Sequence, residues 1–181
     1  MSQLSEYTRY SFKNYWRLLI NKIKLGFCGD KVYFEKNVQL LRFPKNIEIN
    51  SKSHIKEGAK ICCCNPEATI VIGEGTSIGY NTIIFSSTNI TIGDFCMIAP
   101  NVYIVDSDHG MDRESLMKNQ ANSSEPIEIG NDVWIATGAV ILRGTRIPDG
   151  CVIAANSVVK GELEPYSIYA GSPAKKIGQR K

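Results

Sequence analysis

Isoleucine or valine recurs every sixth residue over most of this chain. The series runs Ile49, Ile55, Ile61; then Ile72, Ile78, Ile84; then Ile92, Ile98, Ile104; and last Ile129, Ile135, Ile141, Ile147, Ile153, Val159. Six is neither a helical period nor the alternation of a simple hairpin strand. It predicts an all-β chain, a parallel β-helix whose short strands each turn a corner and stack on the coil before. The position after the aliphatic residue is often small, as in Ile72-Gly73, Ile92-Gly93, Ile98-Ala99 and Ile153-Ala154, which relieves the corner. Small or β-branched residues tend to follow four places on, at Thr76, Thr82, Val102, Val133, Thr145 and Ser157. Such a rod buries its core only by stacking, so repeats must be numerous, and a β-sandwich with chance spacing does not account for them.

Composition bounds the rest. A chain of 181 residues is about one domain, and 22% charged with 43% hydrophobic residues is ordinary for a soluble protein. The net charge of +3 is too small to argue for nucleic acid, though it suits an anionic ligand. No apolar run approaches the roughly 18 residues of a membrane span, and the first residues lack an export-signal pattern. Cys62, Cys63 and Cys64 are consecutive, while Cys28, Cys96 and Cys151 stand alone, with no C-x-x-C pair. They read as small core residues in a reducing cytoplasm.

Residues 1–26 differ from the hexads. Phe12, Trp16, Leu19, Ile20 and Ile23 recur at helical spacing, with Lys13, Arg17, Asn21 and Lys24 on the other side. This predicts an amphipathic helix ending near Gly26, its apolar face packed on the rod or on a sister subunit. The alternative is peripheral contact with an anionic membrane surface.

The hexads stop between Ile104 and Ile129. The interruption, Asp106 to Pro126, is polar and contains His109, one of 2 histidines. Long loops in compact repeats are usually functional or disordered. A histidine titrates near neutrality, so it can take a proton from an acceptor and return it elsewhere. Either Asp106 or Asp108 would orient it. His54 lies within a hexad and is expected at a solvent-facing corner, with no role.

These hexads, the segment Pro126 to Ala136 and the closing run Ala170-Gly171-Ser172-Pro173-Ala174-Lys175 resemble the hexapeptide-repeat acyltransferases, over residues 47 to 178. The nearest branch is that of the galactoside and maltose O-acetyltransferases and the surface-polysaccharide O-acetyltransferases. The resemblance implies a left-handed β-helix over residues 27–165 and a coenzyme A-binding tail over 166–181. It also implies a homotrimer with active sites between subunits, and acetyl-CoA as co-substrate with no metal. His109 follows Ile92-Gly93-Asp94 and Ile98-Ala99-Pro100-Asn101 at the family distance and matches the catalytic base. Trp134, Ala136, Thr137, Ala155, Lys160 and Lys175 match cofactor-binding positions, with an amide near Thr137 as oxyanion donor. Acceptor contacts are assigned to Asn81, Ser86, Asp106 and Asp108. The chain departs from the galactoside branch there, since Gly110 replaces a proline, Arg113 comes early, and Ser86 and Ser87 lie near an acidic position.

The function this implies is cytoplasmic O-acetylation of a sugar hydroxyl, on a surface polysaccharide or its precursor. The alternatives are N-acetylation of a nucleotide-linked amino sugar, whose enzymes often carry an additional nucleotide-binding domain, and antibiotic O-acetylation. A serine acetyltransferase would have a long helical N-terminal domain. A γ-type carbonic anhydrase shares the rod but needs three histidine ligands per chain, and this one has 2 histidines in all.

Overall fold

The computed structural model describes residues 11–180. Residues 1–10 of the expected N-terminal segment, and Lys181 of the expected tail, lie outside the described residues. After one helix, Phe12–Lys24, the chain winds as a three-faced parallel β-solenoid of about six coils. The first face stacks Phe27–Cys28, Ile47–Ile49, Thr69–Ile72, Asn89–Ile92, Ile127–Ile129 and Arg146–Ile147. The second stacks Tyr33–Phe34, His54–Ile55, Ser77–Ile78, Met97–Ile98, Trp134–Ile135, Val152–Ile153 and Ser167–Gly171, closed by the antiparallel strand Ala174–Gln179. The third stacks Gln39–Arg42, Lys60–Cys63, Ile83–Ser86, Tyr103–Val105, Val140–Ile141 and Val158–Val159.

The six-residue period is the face-to-face step. Ile49, Ile72, Ile92, Ile129 and Ile147 are in register on the first face. Phe34, Ile55, Ile78, Ile98, Ile135 and Ile153 form the second column, and Ile61, Ile84, Ile104, Ile141 and Val159 the third. All are buried in one core. Each such side chain contributes roughly 1.5–3 kcal/mol relative to staying exposed. The corner positions noted in the sequence also have a cause. A Cβ on Gly93 would stand 2.6 Å from the Gly130 carbonyl, so the coils stack too closely there for a side chain. The buried hydroxyls of Ser53, Thr76 and Thr82 donate to Gly73 O, Gly93 O and Ala99 O at 2.7, 2.7 and 2.8 Å, satisfying carbonyls of the next corner.

The helix packs the other way round from the sequence expectation. Its apolar stripe faces away from the rod, with Phe12 77%, Trp16 52% and Ile23 75% exposed, while Asn14 and Asn21 are buried. The first coil has no coil beneath it, so its edge needs polar partners as well as a cover. Asn14 Nδ2 donates to Phe34 O at 3.5 Å, and Lys45 Nζ returns to Ile23 O at 2.8 Å. Leu25, just past the helix, is the apolar contribution to the core. No helix among the described residues is long and apolar enough to cross a membrane.

His54 also departs from expectation. It sits in a strand rather than at a corner and is only 9% exposed. The Tyr33 ring meets it edge-on at 4.7 Å between centroids, and Glu35 Oε1 lies 3.2 Å from Nε2. Spacing told where His54 falls in its hexad but not that side chains of the preceding coil would close over it. The six cysteines are free; Cys64 is half-buried and the other five are buried.

Candidate active site

The break in the hexads is a loop thrown out where the third face turns to the first. Asp106 anchors its base. Its carboxylate is 0% exposed and accepts from Ser86 Oγ at 2.8 Å, Ser87 N at 2.6 Å and Thr88 N at 2.9 Å. Asp106 O accepts from Glu125 N at 2.9 Å, so the loop's two ends meet. Ser107 and Asp108 pair antiparallel with Ser124 and Ser123. Further out, the Gln120 amide donates to Asp112 O at 2.6 Å and accepts from Asp112 N at 2.8 Å, which closes the tip.

His109 leaves this hairpin next to Asp108 and is exposed. Asp108 does not face it as an orienting partner. Its Oδ2 instead accepts from Arg143 Nε at 2.7 Å, and the same guanidinium pairs with Glu125 on the returning limb. One arginine from the coil above thus ties both limbs. Asp106, held by three donors, is likewise engaged away from the imidazole.

A cavity of about 560 Å³ opens on the third face between this loop and the lower coils. His109, Ser87, Ser107 and Asn122 line its loop end, Phe85 and Tyr103 its floor, and Arg42 and Cys64 its far end. Burial pushes the Cys64 thiol up to about 12, with Cys62 adding to the shift, so this wall is a neutral thiol and no nucleophile. His109 is then the cavity's proton acceptor of ordinary strength.

The expected cofactor positions gather on a different edge, where the second face turns to the third. At this corner Ala136 N donates to Ile153 O at 2.9 Å and Gly138 N to Pro100 O at 3.2 Å. The Thr137 amide between them is outside the backbone hydrogen-bond pattern. One coil up the arrangement repeats: Ala154 N donates to Tyr169 O at 2.9 Å and Asn156 N to Thr137 O at 3.0 Å, leaving out the amide of Ala155. Trp134, 47% exposed, flanks the ledge on the second face. At its upper end Gly171 N donates to Ser157 Oγ at 3.1 Å, and Lys175 pairs with Ala170 in the closing hairpin. Two spare amides, a small side chain and a terminal cation in line fit a long thin ligand with an acyl carbonyl and a phosphate end.

Other expected residues are not brought together. Ser86 is buried inside the rod, donating to Asp106 and Thr69 O. Asn81 occupies the second-to-third corner, where its φ of 56° turns the chain, across the face from His109. Lys160 is exposed at the third-to-first corner, away from the ledge. Sequence reading missed Arg42, Phe85, Tyr103 and Arg143. Their only signal is that they sit at outward hexad positions, and which coils share the cavity depends on the stacking register.

Comparisons with known proteins agree with this architecture. The profile "Bacterial transferase hexapeptide (six repeats)" matches residues 126–161, and "Hexapeptide repeat of succinyl-transferase" matches residues 69–105. The chain is 33% identical over 180 residues to a probable acetyltransferase of Mycobacterium tuberculosis, covering 97% of this chain but 59% of that protein. It is 30% identical over 157 residues to WbbJ of Escherichia coli K12, assigned to lipopolysaccharide-biosynthesis O-acetyl transfer, covering 80% of each. Among solved structures it resembles AntD, an N-acyltransferase from Bacillus cereus in complex with dTDP-4-amino-4,6-dideoxyglucose and coenzyme A. That likeness has a TM-score of 0.81 at 22% identity over 95% of this chain and 90% of that one. These relatives include both O-acetyl and N-acyl transferases, so no single branch stands out.

Proposed function

The chain belongs to the hexapeptide-repeat acyltransferases, and from that premise we propose that it transfers an acyl group from a coenzyme A thioester to the amino group of a nucleotide-linked sugar. The observation that carries this reading is the end-to-end likeness to AntD, solved with an amino-sugar nucleotide and coenzyme A. It removes the sequence-based objection that such enzymes need a further nucleotide-binding domain. This chain alone covers 90% of AntD.

Acyl-CoA supplies an activated acyl carbon. In the proposed reaction the neutral amine nitrogen attacks that carbon, a C–N bond forms and the C–S bond breaks. His109 accepts the proton leaving nitrogen and returns it to the departing thiolate, so an amide and free coenzyme A result. The Thr137 amide donates to the oxygen on which charge develops, Trp134 and Ala155 border the thioester arm, and Lys175 faces its phosphate end. Within one chain His109 and this ledge lie at opposite edges of the third face, a strand width of roughly 13 Å apart. A homotrimer with the site between subunits would bring one chain's histidine to its neighbour's ledge, and we adopt that assembly, in the cytoplasm, as part of the proposal. The outward apolar stripe of the helix, flanked by Lys13, Arg17, Lys22 and Lys24 with no acidic residue in Phe12–Lys24, suits an anionic lipid surface.

A second reading is O-acetylation of a sugar hydroxyl, favoured by the 30% identity with WbbJ over 80% of both chains. The same histidine would then take a hydroxyl proton. The test is thiol release from acetyl-CoA with dTDP-linked amino sugars and with hydroxyl-only glycans, using wild type and His109→Ala. The proposal expects turnover with the amino sugars and a loss of roughly 10²–10⁴-fold in the variant. Turnover confined to hydroxyl acceptors would establish the second reading, and an unimpaired variant would remove His109 from the chemistry.

A further inference from the structure

Arg42 ends the strand Gln39–Arg42 on the third face, in register with Cys63 and, through it, with Ser86. Its guanidinium lies over the Phe85 ring at 5.7 Å from the centroid, and Nη1 donates to Cys64 O at 3.3 Å. Among the described residues no carboxylate pairs with it. Asp108, the one acidic residue lining the cavity, is held by Arg143. The cavity therefore has His109 at one end and an unneutralised, permanently charged donor fork at the other.

Phe85 and Tyr103 lie between them. The coil of Arg42 is three below the coil that carries the loop, about 14 Å at the spacing of stacked strands. Both side chains reach into the same space, so the gap left between them is of the size of one sugar and its linkage. The neighbouring thiol, held up to about 12, puts no negative charge beside an incoming anion. A neutral glycan would leave the guanidinium unmatched, whereas a phosphate accepts its paired N–H groups.

We propose that Arg42 binds the phosphate linkage that carries the acceptor sugar, with Phe85 and Tyr103 as the apolar floor under the ring. This rests on the reading that the cavity at His109 receives the acceptor, and it deepens that reading by naming the acceptor as phosphate-linked. It makes Arg42 a specificity-determining residue of the reaction, distant from the bond that forms.

The test compares wild type, Arg42→Lys and Arg42→Gln in two measurements: dTDP binding by calorimetry without acyl-CoA, and steady-state kinetics with dTDP-4-amino-4,6-dideoxyglucose and with the same amino sugar lacking the nucleotide. Arg42→Gln is expected to weaken dTDP binding and raise KM for the nucleotide-linked sugar roughly 10- to 100-fold. The KM for acyl-CoA and the kinetics with the unlinked sugar should stay as in wild type, and Arg42→Lys should recover part of the loss. Inorganic pyrophosphate competing as well as dTDP would assign the recognition to the linkage alone, and weaker competition would add the nucleoside; both uphold Arg42. Equal dTDP affinity in wild type and Arg42→Gln, or no dTDP binding by wild type, would overturn the inference even where acyl transfer proceeds. Conversely, dTDP binding that depends on Arg42 without any acyl transfer would leave the inference standing and remove the proposed function.

Discussion

Arg143 Nε donates to Asp108 Oδ2 at 2.7 Å, one residue before His109 in the chain. The same side chain pairs with Glu125, so a coil strand end and both limbs of the loop form one unit. Its side chain is 19% exposed, more sheltered than a free surface pair, and the network is shared between two carboxylates. The catalytic proposal for His109 depends on this brace.

Replacing Arg143 with methionine keeps the stem and removes the fork. Activity is expected to fall roughly 10- to 100-fold, because misplacing a catalytic group by about 1 Å costs on the order of 10² in rate. The melting temperature should change little, since partly exposed ion pairs add little to stability. Kinetics and thermal melts on the same preparation check both halves.

Asp106 behaves differently. Asp106→Ala would leave the Ser87 and Thr88 amides and the Ser86 hydroxyl without their acceptor. A cost of about 2–4 kcal/mol is expected from unsatisfied buried donors to a charged group. Urea unfolding measures it, and a variant as stable as wild type would show that Asp106 does not hold the loop base.

His54 gives the rod an acid-sensitive point. Burial lowers its pKa, with Lys56 acting the same way, against Glu35, which raises it; the net shift is downward from 6.5. A base with a lowered folded pKa binds fewer protons folded than unfolded, so stability is full above about 6.5 and declines as pH falls toward the folded value. Thermal melts from pH 7.5 to 5 should show this decline, and His54→Gln should flatten it. An unchanged slope in the variant would place the acid sensitivity elsewhere.

The helix predicts membrane recruitment. Wild type should co-sediment with vesicles containing phosphatidylglycerol and not with neutral phosphatidylcholine vesicles, and the double change Trp16→Ser with Ile23→Ser should abolish this while leaving thermal stability intact. Both positions are exposed, so the rod does not need them. A loss of stability or of oligomeric state instead would assign the stripe to a sister subunit.

How far each feature was legible depends on the range of the interaction behind it. The hexad period is a local pattern with one packing solution, so the three interior columns follow from Ile49 to Val159 read in order. The loop was visible as the place where the period fails, and His109 as its histidine. The helix was visible too, but not which side the rod would cover. Periodicity records an apolar stripe, while Asn14 and Lys45 answer to the open backbone of a coil edge that no local pattern describes.

The sequence by itself determined the solenoid, its corner chemistry and the position of its single long interruption, because each arises from residues within one or two hexads. Tertiary structure alone decided which outward side chains share a cavity. Arg42, Phe85 and His109 are separated by dozens of residues and meet only because each coil adds about 4.8 Å along the rod. It also gave Asp106 and Asp108 to Ser86, Ser87, Thr88 and Arg143 rather than to the imidazole, since a buried carboxylate takes the donors that stacking brings closest.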